Sequence, residues 1–177
     1  MSNLPEAQPI SGLTVRGRNI DDWRAIAAIC RAQRPEFNPF EAPYTADDYV
    51  REMLSKPSDA NGAFSLVAEL NGVLVGEIAL KRYTHGRMRH IGEIERFVVD
   101  PTTQGKGVGG VLLAALIDVA ENWFNLTRLS HVIAVDNAPA INLHRKHGFV
   151  IEGKLRDQSY RVGRYVDAYM LARVRDE

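Results

Sequence analysis

Apolar positions recur along the chain with two periods, and the switches between them mark its elements. Leu13 and Val15 alternate with Thr14 and Arg16, which predicts a strand over Leu13 to Arg18. Trp23, Ile26, Ala27, Ile29 and Cys30 then follow a helical spacing, with Asn19 or Asp21 as the cap. Thr45-Ala46-Asp47-Asp48 starts a second short helix that runs to Leu54, with Thr45 as its cap. Three extended runs come next: Phe64 to Leu70, Val73 to Arg82 and Ile91 to Val99. Asn71-Gly72 between the first two is a hairpin turn. The three runs together predict an antiparallel meander. Val111, Leu112, Ala115, Leu116 and Val119 return to helical spacing. A short strand, Leu129 to Val135, precedes a helix that opens at Asp136-Asn137-Ala138-Pro139 and ends at Gly148. Proline suits the first turn of that helix. Phe149 to Tyr160 and Tyr165 to Val174 close the chain as a hairpin around Arg161-Val162-Gly163-Arg164.

This order of elements predicts an α/β protein of the α+β type. Its central sheet is mixed and mostly antiparallel, with six to seven strands and helices on both faces. Residues 1–12 are expected to form a flexible tail, and residues 13–177 a single domain.

One junction carries candidate chemistry. After the strand ending at Val99, Asp100-Pro101 leads through a polar connector to Gly105, Lys106, Gly107, Val108, Gly109 and Gly110, where a helix begins. The first N–H groups of a helix have no intrahelical partner. The helix dipole adds positive character at the same end. Glycines remove the side chains that would hold a phosphate away. The junction therefore suits a phosphate-bearing ligand, with Lys106 as an added charge. Glycines alone leave open an ordinary turn capping a core helix. Gly105, Gly107 and Gly110 also satisfy the dinucleotide pattern, but that pattern wants an acidic residue about 20 residues on, at the end of the next strand. Here Glu121 falls inside the helix and Asp136 comes too late. Val108 follows Gly107 where a phosphate-binding loop of the Walker type needs a lysine and then serine or threonine.

Charge and cysteine usage narrow the field. The chain has 22 basic and 22 acidic residues, a formal net charge of zero. That argues against nucleic acid or an anionic membrane as the main partner. The single cysteine, Cys30, excludes an intrachain disulfide and reads as a small buried apolar residue. No apolar run approaches membrane-spanning length. Met1 to Gly12 lacks a basic stretch followed by an apolar one, so a cytoplasmic location is expected.

Val99-Asp100-Pro101 followed by Gln104-x-x-Gly107-x-Gly109 resembles motif A of the GNAT superfamily, the acetyl-CoA-dependent N-acetyltransferases. Asp136 to Phe149 resembles motif B, matching at Asn137, Ala140, Ile141, Leu143, Lys146, Gly148 and Phe149. The resemblance covers Leu13 to Val174, more weakly in the first third. It implies a sheet splayed between its fourth and fifth strands, with the pantetheine arm of acetyl-CoA in the gap. Backbone groups of Phe97, Val98 and Val99 would hold that arm, and Asn137 would hold it with its side chain. Gln104, Gly105, Lys106, Gly107, Val108, Gly109 and Gly110 would cradle the pyrophosphate. The implied reaction is direct attack of a primary amine through a tetrahedral intermediate, with acetyl-CoA as co-substrate and no metal. A backbone N–H near Val99 would hold the oxyanion. Family members are often dimers, so a homodimer is compatible with the resemblance.

Where many family members place a tyrosine, seven residues after the motif B asparagine, this chain has His144. The family's tyrosine protonates the departing thiolate. A thiol has a reference pKa of about 8.5 and imidazole one of about 6.5, so His144 is the candidate to supply that proton. It is equally open that His144 fills the tyrosine's space, or that Tyr160, Tyr165 or Tyr169 serves instead. The attacking amine must be neutral, which calls for a proton acceptor. Glu93 and Glu95 are two apart on one strand face. Glu93 matches the glutamate base of some family members; solvated edge carboxylates and a water chain remain the alternatives.

The last hairpin, with Asp136 to Ile141, looks closest to the bacterial L-amino-acid N-acetyltransferase branch. That implies a free amino acid or similar small-molecule amine as acceptor. Phe37, Phe40 and Tyr44, in a proline-broken loop, are the expected apolar wall. Arg96 and Arg156 are candidates to meet a carboxylate, with a plain surface charge the favoured reading of each. A polyamine acceptor, a protein N-terminus or lysine, and a non-catalytic acetyl-CoA-binding module stay open.

Overall fold

The computed structural model describes residues 10–37, 45–54 and 62–175. Phe40, Tyr44 and positions 1–9 of the expected tail lie outside them. The strands are β1 (Leu13–Gly17), β2 (Ala63–Leu70), β3 (Val73–Arg82), β4 (Ile91–Val99), β5 (Arg128–Ala134), β6 (Val150–Arg161) and β7 (Arg164–Val174). They form one seven-stranded sheet in the order β1-β2-β3-β4-β5-β7-β6. The β2–β3–β4 meander and the β6–β7 hairpin are antiparallel as the sequence pattern predicts, and only β4 and β5 run parallel. The helices are α1 (Trp23–Ala32), α2 (Asp47–Leu54), α3 (Val108–Asp118) and α4 (Ala138–Lys146).

Local chemistry explains where these elements begin. Asn19 precedes a short turn, Ile20–Asp22, that leads into α1, and its N–H donates to the Asp22 carboxylate at 2.7 Å. Asp22 rather than Asp21 therefore closes that turn. In α2 the Ala46 carbonyl accepts the first helical bond, from Val50 at 3.1 Å. Asn137 caps α4, its side-chain oxygen accepting from Ala140 N–H at 3.3 Å.

The apolar stripes of the helices sort to opposite faces of the sheet. Ile26, Ala27, Ile29 and Cys30 of α1 and Val50 and Leu54 of α2 pack on Val67 and Val98. Cys30 is fully buried, and burial pushes its thiol up to about 12, so it stays a protonated apolar group. On the other face, Leu112, Leu113, Leu116 and Ile117 of α3 and Ile141 of α4 pack on Ile78, Leu80, Ile94, Leu129 and Ile133.

β4 and β5 pair only from Ile91 opposite Arg128 to Ile94 opposite His131. Beyond that point β4 continues along β3 to Val99 and β5 along β7 to Ala134, so a gap opens between them. The β3–β4 register slips at the same level: Leu80 faces Ile94 and Ala79 faces Arg96, leaving Glu95 as the extra residue of a bulge. A bulge raises the local twist and bends its strand. It falls where the gap begins.

One buried ion cluster ties the α1/α2 side to the sheet. Glu77 of β3 has no exposed surface, and Arg96 grips it through Nε at 2.5 Å and a terminal nitrogen at 3.0 Å. Arg18 Nε lies 3.7 Å from the same carboxylate, and an Arg18 terminal nitrogen donates to the Leu54 carbonyl at the end of α2. Arg96 is thus committed to an internal partner, neither a surface charge nor free to meet a ligand carboxylate. Glu77→Ala leaves two buried guanidinium groups without their anion. It is expected to cost about 3–5 kcal/mol of stability, read as a lower urea midpoint; a loss below about 1 kcal/mol, the range of an exposed pair, would mean the cluster is not the tie described.

Candidate active site

The phase of the β3–β4 ladder decides which backbone groups face the gap. Asp100 N–H donates to the Val75 carbonyl at 2.8 Å. Directly opposed residues exchange bonds at every second position of an antiparallel pair. Val98 therefore bonds Glu77, while Phe97 and Val99 turn their N–H and C=O groups to the side that β5 has left. Of the three residues expected to hold the pantetheine, Phe97 and Val99 present backbone to the gap. Val98 presents it to β3 and its side chain to the α1/α2 core.

The loop after β4 is built by its own polar groups. The Asp100 carboxylate accepts from Thr102 N–H at 2.8 Å and Thr102 Oγ1 at 2.6 Å, which folds Pro101–Thr103 into a tight turn. Gly105 (φ 77°) and Gly107 (φ 91°) then take left-handed conformations that disfavour a side chain. At Gly107 a Cβ would also come within 3.2 Å of Ile10 Cδ1. The first bond of α3 runs from Val111 N–H to the Gly107 carbonyl at 3.1 Å. That leaves the N–H groups of Val108, Gly109 and Gly110 as the unpaired donors of the first turn. Val108 anchors this turn with a buried side chain, and Lys106 is exposed beside it.

Gln104 serves the loop differently from its expected place in the cradle. Its amide turns back to the strand, donating to the Val99 carbonyl at 3.1 Å and to Gln33 Oε1 at 3.3 Å. Gln33, just past α1, donates to the same Val99 carbonyl at 3.0 Å and to Ile29 O at 3.1 Å. Two amides thus fix the end of β4 and tie it to α1. No motif marks Gln33, because its partner lies 66 positions away.

At the apex of the gap sits a histidine pair. His131 is the last β5 residue paired with β4. Its Nδ1 is 2.9 Å from Nε2 of His144, and Nδ1 of His144 is 2.8 Å from the Ala140 carbonyl. The His144 ring is fully buried between His131, Phe97 and Phe149, with ring centroids at 4.8, 6.0 and 4.9 Å. Burial pushes His131 down to about 3 and His144 down to about 4, so both rings are neutral near pH 7. Asn137 stands at the start of the same helix, its side-chain oxygen engaged as the cap.

Glu93 and Glu95 lie on the α1/α2 side of β4. Glu93 accepts from Tyr83 O–H at 2.9 Å, and this bond raises the Tyr83 pKa, keeping it a donor. Glu95, on the bulge, is exposed and 3.6 Å from Lys81 Nζ. On the same side, Arg161 at the tip of the β6–β7 hairpin binds Asp136 at 2.5 Å, donates to the Glu36 carbonyl and stacks over Phe37 at 5.4 Å. It thereby holds Phe37, the described part of the expected apolar wall, against the mouth of β5. Arg156 is exposed. Tyr160 and Tyr165 pack edge-on at 5.1 Å on the outside of the hairpin, 66% and 67% exposed, and Tyr169 packs partly buried on the α3/α4 core.

Known proteins share this fold. The acetyltransferase (GNAT) family profile matches residues 23–149. The L-amino acid N-acetyltransferase AaaT of Escherichia coli (strain K12) is 32% identical over 166 residues, spanning 94% of this chain and 100% of that protein. A spermidine N(1)-acetyltransferase of Vibrio cholerae is 28% identical over 160 residues, 89% of this chain and 90% of that protein. The structure of yncA from Salmonella typhimurium with its cofactor acetyl-CoA superposes with a TM-score of 0.80 at 27% identity, over 94% of this chain and 96% of that one. With the splayed sheet, the glycine turn and the profile match in agreement over most of its length, the chain belongs to the GNAT acetyltransferase family.

Proposed function

We propose that the protein transfers acetyl from acetyl-CoA to the α-amine of a free L-amino acid. The observation that carries the reading is the gap past Ile94 and His131, into which Phe97 and Val99 turn their backbone groups. Similarity to an L-amino acid N-acetyltransferase along that protein's whole length supports the acceptor class.

The residues divide the work by position. Val108, Gly109 and Gly110 offer three N–H groups at the positive end of α3 to the pyrophosphate, and Lys106 adds a screened charge. Phe97 and the Val99 N–H bond the pantetheine as an added strand would, which lays the thioester toward the apex. Acetyl-CoA supplies the activated acetyl group; the chain supplies orientation and a proton path. Glu93 takes the amine's proton, because Tyr83 orients its carboxylate and leaves the second oxygen for the acceptor. His144 closes the thioester end of the gap. Arg161 and Phe37 shape the acceptor side.

Two experiments test this. Thiol release from acetyl-CoA is measured with the twenty amino acids, spermidine and short N-terminal peptides. Turnover with one or a few amino acids is expected; spermidine as the best acceptor would move the protein to the polyamine class of its other relatives, and release with none would remove the catalytic reading. In Glu93→Gln, kcat is expected to fall about 100-fold with acetyl-CoA affinity unchanged, while Glu95→Gln stays close to the unmodified protein. Equal losses in both would assign the base elsewhere.

A further inference from the structure

His131 belongs to neither motif, yet it occupies the point where β4 and β5 part. As a residue it keeps some solvent-accessible surface, whereas His144 has none. His131 holds the apex by its strand position, and His144 reaches it from α4.

Hydrogen-bond roles in the pair follow from one constraint. The Ala140 carbonyl can only accept, so Nδ1 of His144 carries a proton. In the neutral ring Nε2 of His144 is then a bare acceptor. At 2.9 Å its partner must donate, so Nδ1 of His131 also carries a proton. A proton cannot be added at His144 Nε2 without breaking that bond or shifting the His131 proton onto it. Only the bond to the Ala140 carbonyl favours a charge on His144, and burial outweighs it. β4 contributes Phe97, the start of the chain after α4 contributes Phe149, and α4 contributes His147, whose own charge would oppose protonation. Among the groups acting on the two rings there is no carboxylate.

We propose that His131 is a positioning residue for acetyl transfer: by donating to Nε2 of His144, whose Nδ1–H the Ala140 carbonyl already fixes, it occupies the second ring nitrogen and keeps imidazolium out of the thioester end of the gap. The inference rests on the proposed reading of the gap as the acetyl-CoA site. Protonating Nε2 of His144 would break this bond and free the two rings that end the gap. With the bond in place the C–N bond forms as the C–S bond breaks, the amine's proton goes to Glu93, and the sulfur leaves as a thiolate that takes its proton from water. The histidine pair also predicts a pH effect on folding. Both rings titrate below their unfolded value of about 6.5, so the unfolded chain binds protons first. Stability is full above pH 6.5 and declines as the pH falls from there toward about 3.

The test combines ring ¹⁵N NMR, acetyl-CoA calorimetry and the pH dependence of kcat, on the full chain. In the unmodified protein His144 is expected to show a protonated Nδ1 and bare Nε2, with no titration between about pH 5 and 8. His131→Asn places an amide N–H where the ring Nδ1–H was and should preserve that signature and the pH profile. His131→Leu removes the donor. His144 should then titrate within that window, and kcat at pH 6 should fall about 10-fold further below its pH 8 value than in the unmodified protein, with acetyl-CoA affinity unchanged. A protonated His144 Nε2 in the unmodified protein, or Leu and Asn variants that behave alike, would overturn the proposal. If the Leu variant does not fold, the NMR signature of the unmodified and Asn proteins decides it alone. Calorimetry needs no turnover, so loss of the acetyl-CoA reading would be seen separately as absent binding.

Discussion

The parallel pairing of β4 with β5 stops at Ile94 and His131 while both strands run on, and the candidate site takes its place from that stop. A sheet normally satisfies its backbone groups from both sides. Here the backbone of Phe97 and the N–H of Val99 are satisfied by neither neighbouring strand and are open to a guest that bonds as a strand does, while the Val99 carbonyl is held by Gln33 and Gln104. The bulge at Glu95 turns β4 out of the plane at this level. The tight Asp100 turn then brings the chain round so that α3 starts with its free N–H groups at the same opening. One geometrical event thus sets the open backbone of β4, and the turn that follows it leads into the free N–H groups of α3.

Around the opening the protein handles buried polarity in two ways. On the α1/α2 side it buries charge and pairs it, with Glu77 held by Arg96 beneath Cys30 and near Arg18. Such a cluster costs desolvation and is retained only where every group is answered. On the α3/α4 side it buries histidines and keeps them neutral, each proton assigned by a carbonyl at the far end of the chain of bonds. The first arrangement resists bending of the strand that carries Phe97 and Val99. The second keeps the end of the gap free of charge. Gln33 and Gln104 join the two sides at the Val99 carbonyl.

Much of this was legible in the sequence because it is local. Period-two and helical patterns marked all seven strands and four helices, and Asn71-Gly72 and Pro139 marked a turn and a helix start. Gly105 and Gly107 marked the turn before α3 because left-handed backbone leaves a glycine signature. What escaped depends on partners far apart in the chain. Arg96 reads as a surface charge until Glu77 is brought beside it across β3. His131 reads as an ordinary strand residue until α4 brings His144 within 2.9 Å. Val98 and Val99 look equivalent in a run of β-branched residues. Their difference is the phase of the ladder, which one bond from Asp100 to Val75 sets.

The most direct test of the account is amide hydrogen exchange at Phe97, Val98 and Val99 with and without acetyl-CoA. The account predicts that Val98 is protected in both states, since its N–H already belongs to the β3 ladder, and that acetyl-CoA raises protection at Phe97, Val99 and the first turn of α3 together. Binding of acetyl-CoA that leaves exchange at Phe97 and Val99 unchanged would place the ligand outside the gap and contradict the account.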